Sequence, residues 1–130
     1  MGPRIWGIGE QKAHMMLRHP QFSFYRADGG GCWRGELRPS NLSKIYTVEI
    51  TYKPPLKPKI SVLTPKLVIP EKGRLPHVYG DTEPCLYYPD EWTPENRISD
   101  LIPWLSEWLL HYEGWQATNV WSGGGIHLSG

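Results

Sequence analysis

Apolar and polar residues alternate through the first half of the chain, and this pattern predicts four β-strands. The clearest alternation is at residues 46–52, where Tyr, Val, Ile and Tyr occupy every second position. Residues 22–26, 32–38 and 60–63 show shorter forms of the same pattern. Because the connections between these segments are short and contain Gly or Pro, we expect consecutive strands to pair as an antiparallel meander.

A short helix is predicted before the first strand. Residues 10–18 contain good helix formers, and the sequence His-Pro directly after them ends the helix. Ala13, Met16 and Leu17 are spaced to share one face. We therefore expect this face, and both methionines of the helix, to lie in the core.

A longer helix is predicted in the C-terminal part of the chain. Apolar residues recur at helical spacing over residues 98–112, which gives a stripe suited to covering one face of a sheet. Ser99 or Asp100 can cap this helix, and Pro103 is acceptable only in its first turn. Gly114 is the expected stop. The order of helix, four-stranded antiparallel meander, long loop and central helix indicates an α+β fold with a sheet packed against helices.

Length and charge limit the classes of function. A chain of 130 residues suits one domain that buries roughly two-thirds of its unfolded surface. Lys and Arg together number 14 against 13 Asp and Glu, with no run of like charge, so neither nucleic acid nor an anionic membrane is an expected partner. No apolar run has the length of a signal peptide or a membrane span. We expect a soluble, cytoplasmic protein.

Residues 75–89 are the segment on which any chemistry is expected to depend. Three prolines and a glycine are spread through it, and they forbid a continuous helix or a central strand. The segment is therefore predicted to be a long, braced loop, a feature that is often functional in small domains. It contains Cys85, with His77 eight positions earlier. A thiol in such a loop is a candidate nucleophile.

The cysteines do not indicate a disulfide framework or a metal site. The chain has two cysteines, without a CxxC pair or a Cys/His cluster of zinc-ligand spacing, so no metal and no cofactor are expected. Cys32 falls on the polar face of its predicted strand, and nothing around it suggests activation. A reducing compartment and a free Cys85 follow, with a Cys32–Cys85 bridge as the alternative.

The loop and the order of elements resemble the catalytic core of ubiquitin-conjugating enzymes, the UBC fold. In that family a His-Pro-Asn tripeptide precedes the acceptor cysteine, a Leu follows the cysteine, and a Trp-x-Pro step begins the next helical turn. Leu75-Pro76-His77, Cys85-Leu86 and Trp92-Thr93-Pro94 stand at these places here. His77 replaces the family's Asn, so an imidazole or the backbone must take the role usually given to that amide.

Further motifs resemble the bacterial branch of this family. They are Pro76-His77-Val78-Tyr79, the run from Cys85 to Pro89, and the tryptophan-rich residues 103–109. This branch is encoded with cyclic-oligonucleotide antiphage signalling systems, type II CBASS, and the resemblance is to its short form without a fused activating domain. It implies a single UBC-like domain over residues 1–130, with a core at about 10–112 and a C-terminal tail at 113–130.

The resemblance implies an acyl carrier. Cys85 would accept an activated C-terminal glycine as a thioester and pass it to an amine, a task that suits a thiolate because it attacks acyl groups readily. His77 could donate a hydrogen bond to the tetrahedral intermediate or act as a base toward the amine, and the alternative is that its ring only holds the loop in shape. Supporting or binding roles are expected for Pro76, Tyr79, Tyr87 and Trp92.

The same resemblance implies the partners. The expected one is a cGAS/DncV-like nucleotidyltransferase, joined through its C-terminal glycine. Because the chain contains no activating domain with a nucleotide-binding glycine motif, a separate activating enzyme is a possible second partner. Three other functions stay open: a non-catalytic binding module on the same scaffold, a Cys–His hydrolase that uses the same pair, and a metal site at His77, Asp81 and Cys85. The hydrolase lacks a recognisable orienting residue, and the metal site lacks proper spacing.

Overall fold

The computed structural model describes residues 5–68, 78–79, 83–84, 86 and 92–118, with only the backbone described at 78, 79 and 83. The predicted order of elements is confirmed, and the fold is α+β. A 3₁₀ turn at Ile98–Asp100 leads directly into the second helix. The elements are α1 (Ile8–Arg18), β1 (Ser23–Ala27), β2 (Gly30–Leu37), β3 (Tyr46–Tyr52), β4 (Lys59–Thr64), β5 (Val78–Tyr79), β6 (Glu83–Pro84) and α2 (Leu101–Thr118).

The main sheet is the predicted antiparallel meander. Its strand order is β1-β2-β3-β4, so each strand pairs with its neighbour in sequence. Trp33 of β2 lies opposite Phe24 on one side and Ile50 on the other, and all three face the same way. Burial alternates along β3 between buried and half-buried residues, as expected for a strand with one face on the core.

One hydrophobic core joins the inner face of the sheet to α2. The predicted apolar stripe is confirmed, because each of its members is at most 4% exposed. Burial of this kind stabilises the fold by about 25 cal/mol for each Å² of apolar surface removed from water. The stripe consists of Ile98, Leu101, Ile102, Leu105, Trp108, Leu109 and Tyr112.

The predicted core face of α1 is wrong. Met15 is fully buried, whereas Met16 is 58% and Leu17 80% exposed. The second buried position of the helix is Gln11, which is also 0% exposed. Its amide hydrogen-bonds to the backbone ahead of α2, and these bonds turn the polar residue inward and the apolar pair outward.

Neither predicted cap residue caps α2. The Ser99 hydroxyl lies 3.1 Å from Nδ1 of His14, on α1. The Asp100 carboxylate accepts hydrogen bonds from Arg18 at 2.6 Å and from Arg97 at 3.1 Å. Because these side chains bind α1 and the preceding turn, they link the two helices rather than satisfy the amides of the first turn of α2.

The predicted stop at Gly114 is also wrong, because α2 continues to Thr118. A Cβ atom placed on Gly114 would meet nothing within 4 Å, so packing does not require glycine here. Pro103, by contrast, is the third residue of α2 and lies in its first turn, as predicted.

Replacement of Gly114 by alanine is therefore expected to stabilise the protein by about 0.5–1 kcal/mol, since glycine loses more backbone entropy in a helix. Urea denaturation followed by circular dichroism measures the change. Gly30→Ala is the matched control with the opposite sign, because its Cβ would lie 1.9 Å from the backbone oxygen of Tyr52. A Gly114→Ala protein less stable than the parent would contradict the prediction.

Candidate functional site

Residues 75–89, which we call the cysteine segment, contain a short hairpin beside the main sheet. Val78 pairs with Pro84 and Tyr79 with Glu83 in an antiparallel register, so β5 and β6 form a two-stranded sheet of their own. β6 contacts β4, the edge strand of the main sheet. Part of the segment predicted as a loop is thus a hairpin held against the edge of the sheet.

The residues on either side of position 85 are anchored. Pro84 is buried at the end of β6, and Leu86 packs half-buried against the core. Cys85 itself lies outside the described residues, and Tyr79 is described by its backbone alone. His77, Pro76 and Tyr87 also lie outside the described residues.

Trp92 is a core residue just after this segment. It is 8% exposed, and its ring meets the ring of Tyr52 edge to face, with centroids 5.4 Å apart. A turn follows, in which the backbone amides of Glu95 and Asn96 donate to the hydroxyl and carbonyl oxygens of Thr93 at 3.3 and 2.9 Å. The Trp-Thr-Pro step therefore fixes the chain between the cysteine segment and α2.

The surroundings of Cys32 disfavour ionisation of its thiol. It is a half-buried free thiol on β2. Burial raises the pKa of the Cys32 thiol, with the Glu49 carboxylate acting in the same direction, although a hydrogen bond with Thr51 opposes them. Because the thiolate is the reactive form, the sequence-based expectation of an inert Cys32 agrees with its surroundings.

A serine–histidine pair at the α1–α2 junction was missed by the sequence analysis, and its geometry does not support catalysis. Ser99 is fully buried, 3.1 Å from Nδ1 of His14. Arg97 lies 3.3 Å from the other ring nitrogen, and a guanidinium can only donate. His14 therefore carries its proton on Nδ1 and donates to the serine, the reverse of what a general base must do.

A cavity of about 340 Å³ opens beside Trp92. Its walls include Trp104, which is half exposed, and the ion pair of Arg97 and Asp100. These side chains offer contact surface but no nucleophile. Within the described residues, no group of three or more His, Cys, Asp or Glu side chains could hold a metal ion. Of the helices described, none has the length and hydropathy to cross a bilayer.

Comparison with protein-family models shows the family to which the chain belongs. The family model for the type II CBASS E2 protein matches residues 11–128, which include most of α1, the cysteine segment and all of α2. The chain belongs to the type II CBASS E2 protein family. A comparison with curated proteins returned no match.

Membership in the type II CBASS E2 family confirms the resemblance to the bacterial branch of the ubiquitin-conjugating fold. The helix, the four-stranded antiparallel sheet and the C-terminal helix agree with a UBC-like arrangement. The protein is thus a ubiquitin-conjugating-like protein of an antiviral defence system.

Proposed function

We propose that this CBASS E2-like protein is an acyl carrier, with Cys85 as the residue that accepts a C-terminal glycine as a thioester. The observation that carries the proposal is the family match, which runs from residue 11 to residue 128 and so includes the cysteine segment. A transferase of the ubiquitin-conjugating type needs one thiol that holds the acyl group between two reactions. Cys32 is less suited to this role, since it is half-buried on β2, a strand with neighbours on both sides.

The anchoring of the residues next to Cys85 supports this role. Pro84 ends a strand that contacts β4, and Leu86 packs against the core. A nucleophile between two fixed neighbours loses little further freedom when it meets a bound acyl group, and such pre-positioning supplies a large part of many rate enhancements.

In the proposed reaction, a bond forms between Sγ of Cys85 and the carbonyl carbon of the activated glycine. The bond from that carbon to its leaving group breaks, and the thiol proton is released. An amine then attacks the thioester, the sulfur leaves, and the thiol regains a proton. His77 is the proposed donor to the tetrahedral intermediate or base for the amine. Pro76, Tyr79 and Tyr87 are the proposed contacts of the extended glycine tail.

The proposed partner is a cGAS/DncV-like nucleotidyltransferase that contributes the C-terminal glycine, with a separate activating enzyme that supplies the activated acyl group. Membership in a CBASS family supports this choice of system. We also propose that residues 1–130 form one UBC-like domain, because the matched range covers most of them and one core holds side chains from α1 to α2.

The proposal is tested by incubating the protein with a cGAS/DncV-like nucleotidyltransferase, an activating enzyme and ATP. A non-reducing gel should show an adduct that disappears on addition of a thiol, with a mass equal to the two chains less one water. The control is the activating enzyme's own charging of the nucleotidyltransferase, which proves that the donor is competent. If the donor is competent but no thiol-sensitive adduct forms, the proposed carrier role is contradicted. A stable non-covalent complex without an adduct would favour a binding module.

A further inference from the structure

One end of the main sheet carries exposed apolar side chains on two segments. Leu37 pairs with Tyr46, and Thr47 with Thr64, so the β2–β3 loop and the residues after β4 leave the sheet at the same end. The exposed fractions there are 99% for Leu42, 54% for Ile45 and 53% for Val68. We call these three residues, together with Lys44 and Lys66, the Leu42 surface.

The β2–β3 loop is held in place by side-chain hydrogen bonds. Ser43 is buried, and its hydroxyl donates to one carboxylate oxygen of Glu113 at 2.7 Å. The Tyr46 hydroxyl donates to the other oxygen at 2.8 Å. Arg38 donates to the carbonyl oxygens of Asn41 and, at 3.2 Å, of Ser43. The loop that presents Leu42 is therefore fixed from both sides.

The residues after β4 are held by Tyr112 of α2, which precedes Glu113 in the chain. The backbone amide of Val68 donates to the Tyr112 hydroxyl at 2.6 Å, and Leu67 is buried. The Tyr112 ring stacks on Trp108, with centroids 5.7 Å apart. Consecutive residues of α2, Tyr112 and Glu113, thus hold both parts of the surface. A surface ordered in advance loses less conformational entropy when a partner binds.

The charged side chains that belong to the two segments themselves are all basic. Residues 38–45 and 65–68 contain Arg38, Lys44 and Lys66 but neither Asp nor Glu. Lys44 and Lys66 are exposed, and neither forms an ion pair with a described residue. An apolar tip accompanied by exposed ammonium groups that pair with no described carboxylate is complementary to an apolar pocket with carboxylates at its rim.

We propose that the Leu42 surface is a non-covalent docking site for the nucleotidyltransferase, which receives Leu42 in an apolar pocket rimmed by carboxylates. The identity of this partner rests on the proposed function, whereas the chemistry of the docking surface rests on the exposed residues and their bracing. Docking at this end of the sheet would hold the body of the partner while its C-terminal tail reaches the cysteine segment.

The test measures binding between the purified nucleotidyltransferase and a Cys85→Ala background, in which no thioester forms. Leu42→Asp should raise Kd by at least about tenfold, as expected for the loss of a central anchor. Lys44→Glu should also weaken binding and reduce its salt dependence. The matched control is Leu56→Asp, a 67% exposed leucine in the loop at the opposite end of the sheet, which should leave Kd within about twofold. Because Leu42 is 99% exposed, its variant should unfold at the parent's temperature.

Equal binding by the Leu42→Asp protein and its parent would overturn the docking site, and so would the absence of binding by the Cys85→Ala parent. The two proposals fail separately. If binding depends on Leu42 but the protein with Cys85 forms no thiol-sensitive adduct, the carrier proposal is rejected and the docking proposal is supported. An adduct that forms equally well with Leu42→Asp at limiting partner concentration would reject the docking site and leave the carrier standing.

Discussion

Replacement of Cys85 by alanine is expected to abolish the thiol-sensitive adduct completely, because no other group at that position can form a thioester. Cys85→Ser is expected to give a different result. A serine hydroxyl that accepts the same acyl group forms an oxygen ester, which is less reactive toward amines and thiols than a thioester. The adduct of the serine variant should therefore form slowly and persist on a reducing gel.

Cys32→Ser provides the matched control for this pair of variants, because it removes the chain's other thiol. Cys32 lies half-buried on β2, where burial raises its pKa, so its loss should leave the yield and the thiol sensitivity of the adduct unchanged. The decisive measurement is a non-reducing gel run for all three variants, with intact mass of each band. An adduct that survives Cys85→Ala but is lost in Cys32→Ser would reject Cys85 as the acceptor.

The strands and α2 could be predicted from the sequence because each has one face on the core and one in water. In β3 the alternation of buried and half-buried residues follows the alternation of residue types directly. In α2 the apolar stripe at helical spacing coincides with the buried residues. In these elements the local pattern and the tertiary environment agree, so the pattern alone was sufficient to predict the element and its buried face.

The features that escaped prediction depend on partners distant in sequence. Ser99 was expected to cap α2, yet its hydroxyl meets His14, 85 residues earlier. The strands β5 and β6 have two residues each, which is too short for any alternation to show. The Leu42 surface depends on Glu113, 70 residues after Ser43. No local signal distinguishes an exposed leucine on a fixed loop from one on a mobile loop.

The candidate site came from a resemblance rather than from spacing alone. An eight-residue separation of His77 and Cys85 does not by itself distinguish a carrier from a hydrolase. The additional positions, Leu86 and the Trp92-Thr93-Pro94 step, narrowed the choice to one family, and the family match over residues 11–128 agrees with it. The structure adds that Trp92 lies in the core and that Leu86 packs half-buried against it, which explains why apolar residues are needed at those positions.

Gln11 shows most directly how a distant partner overrides local pattern. Its Nε2 donates to the Asn96 carbonyl at 2.9 Å, and its Oε1 accepts from the Ile98 amide at the same distance. The side chain is 0% exposed. One amide therefore satisfies a donor and an acceptor of the backbone that leads into α2, and it holds α1 against that backbone.

Gln11→Met is expected to destabilise the protein by about 1–3 kcal/mol, because the buried Ile98 amide is left without its acceptor, whereas the Asn96 carbonyl belongs to an exposed residue and can bond to water. Methionine is unbranched and of similar length, so it fills the space and isolates the loss of the two hydrogen bonds from a cavity effect. Urea denaturation gives the free energy of unfolding, and hydrogen exchange at the Ile98 amide should become faster than the change in global stability alone requires.

Gln116→Met is the matched control, since this glutamine is exposed in the last turn of α2 and the same substitution there should change stability by less than about 0.5 kcal/mol. If Gln11→Met proved as stable as the parent, hydrophobic burial alone would account for the docking of α1. The expectation that α1 is held by an apolar face would then be right about the force and wrong only about the residues. A loss confined to Gln11→Met would instead show that two hydrogen bonds to residues 96 and 98 decide which face of α1 is buried.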